Sequence, residues 1–223
     1  MVRDIIDIYN RNVITILILS LVLVFPVTFF VYFASIYLYQ ADSIEYANLP
    51  VLYLLVLNFT VLFPPFFSLA QNDLNDRLYK KRKLIMIFIN KFGYITFLTL
   101  AFFFIGIFGS FFFFIPTFIA GCLMLLFPLF SDEGKVGISI RKTWTIFKKE
   151  HIFILLDILL LISLNVLAWA GATYLVANFE NNTMVYILLR AIINSIIFPL
   201  VYFYLTIKYR KDSNFYIQEK DYV

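Results

Sequence analysis

The chain has 223 residues, of which 62% are hydrophobic, 20% aromatic and only 14% charged. A soluble domain is typically about 45–50% apolar and about 25% charged, so this composition excludes an ordinary water-soluble protein and indicates lipid as the solvent. The single cysteine, Cys122, excludes an internal disulfide and a cysteine-based metal site. The net charge is +4, but the basic residues form short separate blocks, which does not make the continuous basic face that nucleic-acid binding requires.

Long apolar runs recur along the chain and predict an all-α integral membrane protein, with one polytopic domain over residues 1–223. About 20 apolar residues cross a hydrocarbon core of ~30 Å, and six runs approach or exceed that length. The first run is longer than a signal h-region and lacks a small-residue cleavage site, so we expect it to remain as a span. The six predicted spans are Val13–Leu38, Pro50–Ala70, Phe92–Phe108, Phe111–Phe130, Ile152–Phe179 and Met184–Ile207.

The boundary between the third and fourth spans is the least marked, because only Gly109 and Ser110 separate them. The stretch from Phe92 to Phe130 is too long for a single helix across a bilayer, and glycine commonly interrupts helices. We therefore predict a helical hairpin with its tip at Gly109 and Ser110. The alternative is one long bent helix, which gives five spans.

The distribution of Lys and Arg predicts the orientation. These residues lie in the amino-terminal segment, the second and fourth connections and the carboxy-terminal tail, whereas the odd-numbered connections contain none. Because basic connections stay in the cytoplasm, we predict a multi-pass plasma (inner) membrane protein with both termini cytoplasmic. A five-span arrangement would place one basic block outside. Arg190, inside the sixth span, is the one basic residue that departs from this pattern.

The two basic connections also contain apolar residues near helical spacing, which predicts two cytoplasmic amphipathic surface helices. Such helices place their apolar faces in the acyl boundary and their cations near the anionic headgroups of membrane lipids. The alternative function is docking to a partner, such as a cytoplasmic ATPase or another membrane protein. The apolar residues of the first helix are Leu74, Leu78, Ile85, Phe88 and Phe92; those of the second are Ile140, Trp144 and Phe147, flanked by Arg141, Lys142, Lys148 and Lys149.

The sequence lacks the motifs of familiar membrane enzymes. It has one histidine, His151, whereas a metalloprotease helix needs two histidines and a glutamate. It has no Gly-x-Ser-x-Gly elbow, no glycine-rich phosphate loop and no pair of carboxylates within one span. We therefore expect a non-enzymatic protein without a cofactor.

Polar residues inside the spans are the candidate functional residues, because intramembrane charge is costly and usually functional. Helix rise places Asp157 and Arg190 roughly 18 Å apart in depth, so we expect them not to pair. Arg190 is expected to reach headgroups or Glu180, and Asp157 to meet water, Tyr202 or a basic residue of the surface helices. A second set of polar residues, at one depth, consists of Asn58, Asn165 and Asn194. We expect these side chains to face inward and to hydrogen-bond across helices. Either these amides only hold the helices together, or they form a polar cavity that admits an anion or a lipid headgroup at Arg190.

Several segments carry a family resemblance. They are Phe-Pro-Val-Thr at 25–28, Pro-Pro-Phe-Phe-Ser at 64–68, Leu-Phe-Pro-Leu-Phe at 126–130 and the basic segment Ile140–Lys149. Their order resembles uncharacterised multi-pass membrane families of Gram-positive bacteria, which are domains of unknown function, and the second half is similar to the membrane domain of some glycerophosphodiester phosphodiesterases. The resemblance implies an accessory membrane role and supplies no active-site residues. We predict an accessory, scaffold or transport-associated function; the alternative is the permease subunit of an ATP-driven transporter or exporter.

Overall fold

The computed structural model describes residues 1–41, 46–77, 79–132, 136–177 and 182–220, including the side chains of all of these except 175 and 211–220. The described residues form helices and no strand, which confirms the predicted all-α class. The predicted positions Asp42, Glu45, Leu78 and Glu180 lie outside the described residues. The helices are α1 (Val2–Arg11), α2 (Val13–Leu19), a π-helical turn (Ser20–Val24), α3 (Phe25–Gln40), α4 (Asn48–Leu74), α5 (Lys81–Gly109), α6 (Ile115–Leu126), a 3₁₀ turn (Phe127–Phe130), α7 (Val136–Val176) and α8 (Thr183–Lys220).

Within the described residues, five helical segments are long and apolar enough to cross a membrane. A sixth apolar segment, Ile115–Phe130, is shorter and comprises α6 with the 3₁₀ turn. These lengths agree with a multi-pass membrane protein and leave the sixth crossing as a prediction. The five long segments are Val13–Gln40, Asn48–Leu74, Lys81–Gly109, Val136–Tyr174 and Thr183–Arg210.

A hydrogen bond beside a proline joins the first and last long helical segments. Pro26 is the second residue of α3, directly after the π-helical turn, and Pro199 lies inside α8. Because proline has no amide hydrogen, the carbonyl of Ser195, four residues earlier in α8, loses its helical donor. The hydroxyl of Ser20 donates to this carbonyl at 3.0 Å. The π-helical turn thus holds the side chain that satisfies the proline site of α8.

The first basic connection differs from its prediction. The chain turns after Leu74, and α5 then runs without interruption from Lys81 to Gly109. Residues predicted to form a separate surface helix, such as Ile85 and Phe88, instead belong to the first turns of this long helix. The apolar spacing was correct for a helix, but spacing alone does not show where one helix ends and the next begins.

The predicted helical hairpin at Gly109 and Ser110 is confirmed, and the single bent helix is wrong. The chain reverses so that Thr117 donates its hydroxyl to the carbonyl of Gly106 at 2.6 Å. Gly109 lies so close to the returning helix that an added Cβ would be 2.6 Å from the Thr117 nitrogen. The return differs from its predicted start at Phe111, because residues 111–114 form the turn, and Phe113 and Phe114 have left-handed φ angles of 53° and 59°.

The second basic connection forms a helix that is separated from the following span by a kink. Glu150 interrupts α7 with φ −127° and ψ 22°. The segment before it buries Thr143 and Phe147 against the protein, and the Phe147 ring lies 6.1 Å from that of Phe118 in α6. Trp144 is 38% exposed. The sequence had predicted that this apolar face lies in the lipid. In the structure, part of the face packs on the protein's own helices.

The centre of the core lies between α4 and α8. Tyr202 is fully buried, and its ring centroid lies 4.6 Å from that of Phe63 and 5.0 Å from that of Phe59. Its hydroxyl donates to the Phe59 carbonyl at 2.7 Å. Aromatic pairs at these separations contribute about 0.5–1.5 kcal/mol beyond their area burial. This packing fixes the apolar segment Thr183–Arg210 of α8, which carries Arg190 near one end and Lys208 near the other.

The amino terminus is fixed by polar contacts that the sequence analysis did not predict. Asn12, between α1 and α2, donates to Asp73 at 2.8 Å and accepts a hydrogen bond from Tyr79. Arg11 pairs with the same Asp73 at 2.5 Å. These contacts join α1 to the end of α4, while Ile8 of α1 is fully buried against the bundle.

Candidate functional site

A cavity of about 500 Å³ lies among α3, α4, α6, α7 and α8. Its lining is mostly aliphatic and aromatic, with a small polar group. The structure brings all three predicted asparagines and Arg190 to this one cavity. The polar lining residues are Tyr32, Asn58, Thr60, Asn165, Arg190 and Asn194.

Arg190 projects from α8 and is held from two sides. Its Nε donates to the Tyr32 hydroxyl at 2.6 Å, and its Nη2 donates to Oδ1 of Asn165. The guanidinium carbon lies 5.4 Å from the centroid of the Tyr32 ring and 5.2 Å from that of Trp169. These aromatic faces attract the cation. They fix its position without neutralising its charge.

The third nitrogen of Arg190 distinguishes this site. Nη1 is buried and has no hydrogen-bond partner among the described residues. The described lining of the cavity also contains no carboxylate. A buried charge normally requires a paired charge and a complete set of hydrogen bonds. The guanidinium therefore retains both a charge and a donor that an anionic ligand can satisfy.

The asparagines face inward, as predicted. Asn58 is 1% exposed and accepts a hydrogen bond from Thr28 of α3 at 3.2 Å. Asn165 accepts from Arg190 of α8. Cross-helix bonding is therefore confirmed at these two positions. Asn194, which is also 1% exposed, differs: its Oδ1 is buried with no partner in the described part of the chain.

Asp157 forms a separate site toward the carboxy-terminal end of α8. Lys208 Nζ donates to both carboxylate oxygens at 2.8 Å, the Tyr204 hydroxyl donates at 2.6 Å, and the Tyr209 hydroxyl donates as well. The expectation that Asp157 and Arg190 do not pair is confirmed. Tyr202 was a wrong partner, because it bonds to a backbone carbonyl instead, and the basic partner comes from α8 and not from a surface helix. Contact of Asp157 with water stays a prediction. The spacing of Tyr204 and Lys208, one helical turn apart, is the sequence signal that would have indicated this site.

The basic segment of α7 lies apart from both sites. Arg141, Lys148 and Lys149 are exposed, and Lys142 is half-buried. Trp144 stacks on Phe147 with ring centroids 5.3 Å apart, and Lys148 Nζ lies 5.4 Å from the Trp144 ring centroid. The segment therefore presents an aromatic ring and several cations together on the surface.

The arrangement around Arg190 favours binding over catalysis. It offers a fixed cation above an apolar lining, which suits an anionic group attached to an apolar body, and the unpaired amide oxygen of Asn194 can accept a hydrogen bond from a hydroxyl of that group. No protein-family model, curated protein or solved structure matches the chain.

Proposed function

We propose that this chain is a six-crossing inner-membrane protein that binds an anionic ligand in the Arg190 cavity, in a non-enzymatic accessory or transport-associated role. The observation that carries the proposal is the buried Nη1 of Arg190, which has no partner among the described residues. A charged hydrogen bond contributes roughly 1.5–3 kcal/mol. Because Nη1 is buried, an anion that supplies the missing partner must first displace a neighbouring lining side chain, and it then gains the affinity of this charged hydrogen bond.

The register of neighbouring helices supports a sixth crossing. Thr60 of α4 contacts Thr99 of α5 at 2.9 Å, and the Tyr53 and Phe103 rings lie 5.4 Å apart. Continuing this antiparallel register brings Gly109 level with the start of α4. The tip of the α5–α6 hairpin thus reaches the same level as the ends of its neighbours.

The return of the hairpin supports the same topology. From the tip, α6 and the 3₁₀ turn lead back to Asp132, which pairs at 2.9 Å with Arg210, the last residue of the apolar segment Thr183–Arg210 of α8. Helix rises of 1.5 and 2.0 Å per residue give this return a length of roughly 25 Å. That length is close to the ~30 Å hydrocarbon core, so α6 with its 3₁₀ turn is the sixth crossing in our proposal.

Exposed aromatic residues are grouped at the end opposite the basic connections. The four phenylalanines of residues 111–114 are 67–92% exposed, and Tyr37 and Tyr46 are 69% and 73% exposed. Aromatic residues concentrate at membrane interfaces. Together with the basic residues at the other end, they support cytoplasmic termini and an external hairpin tip.

Reporter fusions test this topology. Fusions after Tyr46, Ser110 and Asn182 should report an external location, and fusions after Lys81 and Lys142 an internal one. The fusion after Lys142 is decisive, because α5 ends outside in both arrangements and only a crossing by α6 with its 3₁₀ turn returns the chain to the cytoplasm. An external signal at Lys142 would contradict the six-crossing proposal.

Binding to Arg190 can be measured with Trp169 as the reporter, since its ring lies 5.2 Å from the guanidinium carbon. In a Trp144→Phe background, Trp169 is the remaining tryptophan of the two. We expect butyl phosphate to change its fluorescence and Arg190→Gln to weaken binding about 10–100-fold, because a charged hydrogen bond is lost. Arg141→Gln, far from the cavity, is the matched control. Equal binding by both variants would refute the site.

The alternative function, a permease subunit that docks an ATPase, is favoured by one feature. The kinked segment of α7 exposes Trp144 beside Lys148 and Lys149, and such a surface suits a partner with acidic residues. Trp144→Ala with Lys148→Ala should then abolish co-purification of an ATPase. If the unchanged protein has the predicted topology and no ATPase co-purifies with it, the accessory role is favoured.

A further inference from the structure

The cavity is elongated along α8. Four of its lining residues on this helix, Arg190, Asn194, Ile197 and Val201, recur at helical spacing and define one face. Eleven residues of helix correspond to a length of about 17 Å. The lining from α7 runs antiparallel, from Asn165 beside Arg190 to Ile158 at the opposite end.

The charged group lies at one end of this length. Arg190 is bonded there to Tyr32 and to Asn165, and Asn194 lies one turn further in. Beyond it the lining is mostly apolar and ends at Val201. The polar exceptions there are Asn58 and Thr60, whose oxygens already bond to Thr28 and Thr99. The cavity is therefore amphipathic along its axis, with a cationic end and a mostly apolar remainder.

The cavity also borders the membrane. Ile162 and Val166 of α7 line it, each is 57% exposed, and only 11% of the apolar window of this helix is buried. In a bilayer these exposed side chains meet acyl chains. A ligand with an apolar chain can therefore reach the cavity along α7 without leaving the lipid.

We propose that the ligand is a long-chain anionic amphiphile whose headgroup binds Nη1 of Arg190 and whose chain extends inward along α8 to Val201. This inference rests on the proposed anion binding and specifies its ligand. The same chemistry is shared by a free alkyl acid and by an anionic membrane phospholipid. Their common features are a negative oxygen for the guanidinium and an apolar chain for the remaining length.

Chain length tests the proposal on the unchanged site. Alkyl phosphates from butyl to octadecyl are titrated into the Trp144→Phe protein in nanodiscs of neutral lipid, with affinity referred to the free aqueous concentration. Burial of each methylene in the cavity should tighten binding up to about fourfold, as area burial gives for transfer from water, and the gain should stop near a chain of 17 Å, whereas a chain that lies in the bilayer would continue to gain. Equal affinity of butyl and tetradecyl phosphate would overturn the amphiphile and leave anion binding intact. Absence of binding by both would overturn both proposals.

A glycine in the wall provides an independent test. Gly121 lines the cavity, and a Cβ added there meets no atom within 4 Å, so Gly121→Leu fills the apolar part without a backbone clash. We expect it to weaken tetradecyl phosphate at least tenfold and to leave butyl phosphate unchanged. Gly93→Leu, which also enters open space but lies outside the described lining, is the control. Equal effects of Gly121→Leu on both ligands would contradict a chain in this part of the cavity.

The orientation of the chain is tested by bromine quenching of Trp169. Bromine beside the headgroup should quench strongly, and bromine at the chain end weakly, because Trp169 lies at the Arg190 end. The reverse order would overturn the orientation. Competition by an anionic phospholipid in the nanodisc identifies a membrane lipid as the source, whereas competition by the free alkyl acid alone identifies the acid.

Discussion

Asp157 and Arg190 are two intramembrane charges on facing helices, and the protein treats them differently. Asp157 is 4% exposed and is matched by Lys208, whose nitrogen lies 2.8 Å from both carboxylate oxygens. Arg190 has neutral partners only among the described residues, and one of its nitrogens is left unpaired beside a cavity. The first site is electrically closed and the second is open.

The difference teaches how to separate structural from functional charge in a membrane protein. A closed pair contributes to stability only while both partners are present, since removing one leaves an uncompensated buried charge. An open charge is a cost to the empty protein that binding can offset. Substitution of Asp157 should therefore mainly lower the stability, and substitution of Arg190 should mainly weaken ligand binding.

The largest expected effect is at the closed site. Asp157→Ala should lower the free energy of unfolding by about 3–5 kcal/mol, because Lys208 keeps its charge without a partner. Thermal unfolding in mild detergent measures this. The double variant Asp157→Leu with Lys208→Met should recover most of the loss, and Asp7→Ala, in an exposed pair with Arg3, should show no resolvable change. An unfolding temperature of Asp157→Ala equal to that of the unchanged protein would show that the pair is not closed.

The next largest effect is expected at the contact between α5 and α6, because α6 lines the Arg190 cavity. Gly109→Ala places a Cβ 2.6 Å from the Thr117 nitrogen, which forces α6 away from α5 and should cost about 1–3 kcal/mol. The control is Gly106→Ala, whose Cβ would meet Ala120 at an ordinary 3.8 Å. We expect Gly109→Ala also to weaken ligand binding, because α6 lines the cavity. Binding and unfolding temperature equal to those of the control would contradict this packing.

A smaller effect is expected at the proline site of α8, which lies between Arg190 and Lys208. Ser20→Ala removes the donor to the Ser195 carbonyl and should cost about 1 kcal/mol, as for one unsatisfied buried acceptor. Ser35→Ala is the matched control, because its hydroxyl bonds only to the carbonyl one turn earlier in its own helix. A difference in unfolding temperature between the two variants measures the effect. Equal temperatures would mean that water replaces the Ser20 hydroxyl.

The smallest effect on stability sharpens the comparison most. Arg190→Met should change the free energy of unfolding of the empty protein by no more than about 1 kcal/mol. Removing the unbalanced charge is favourable, and it offsets the loss of the hydrogen bonds to Tyr32 and Asn165. The ligand should no longer raise the unfolding temperature of this variant. A loss as large as that of Asp157→Ala would show that Arg190 is structural and would count against the open site.

The sequence anticipated much of the polar layer. Asn58, Asn165 and Asn194 were placed at one depth by helix rise alone, and all three line the same cavity. Their partners were not predictable, because hydrogen bonds such as Thr28 to Asn58 join residues from helices whose neighbours the sequence does not specify. The partners of Asp157 were missed for the same reason.

Composition and apolar run length determined the helical class, the candidate crossings and the hairpin break at Gly109, because these follow from local hydrophobicity and backbone geometry. Tertiary structure alone decided that Ile85 and Phe88 continue a long helix, that the segment before Glu150 packs on α6, and that Ser20 satisfies the Pro199 site. It also decided which intramembrane charge is neutralised. Pairing across helices depends on their rotation and register, and those are set by packing between segments distant in sequence.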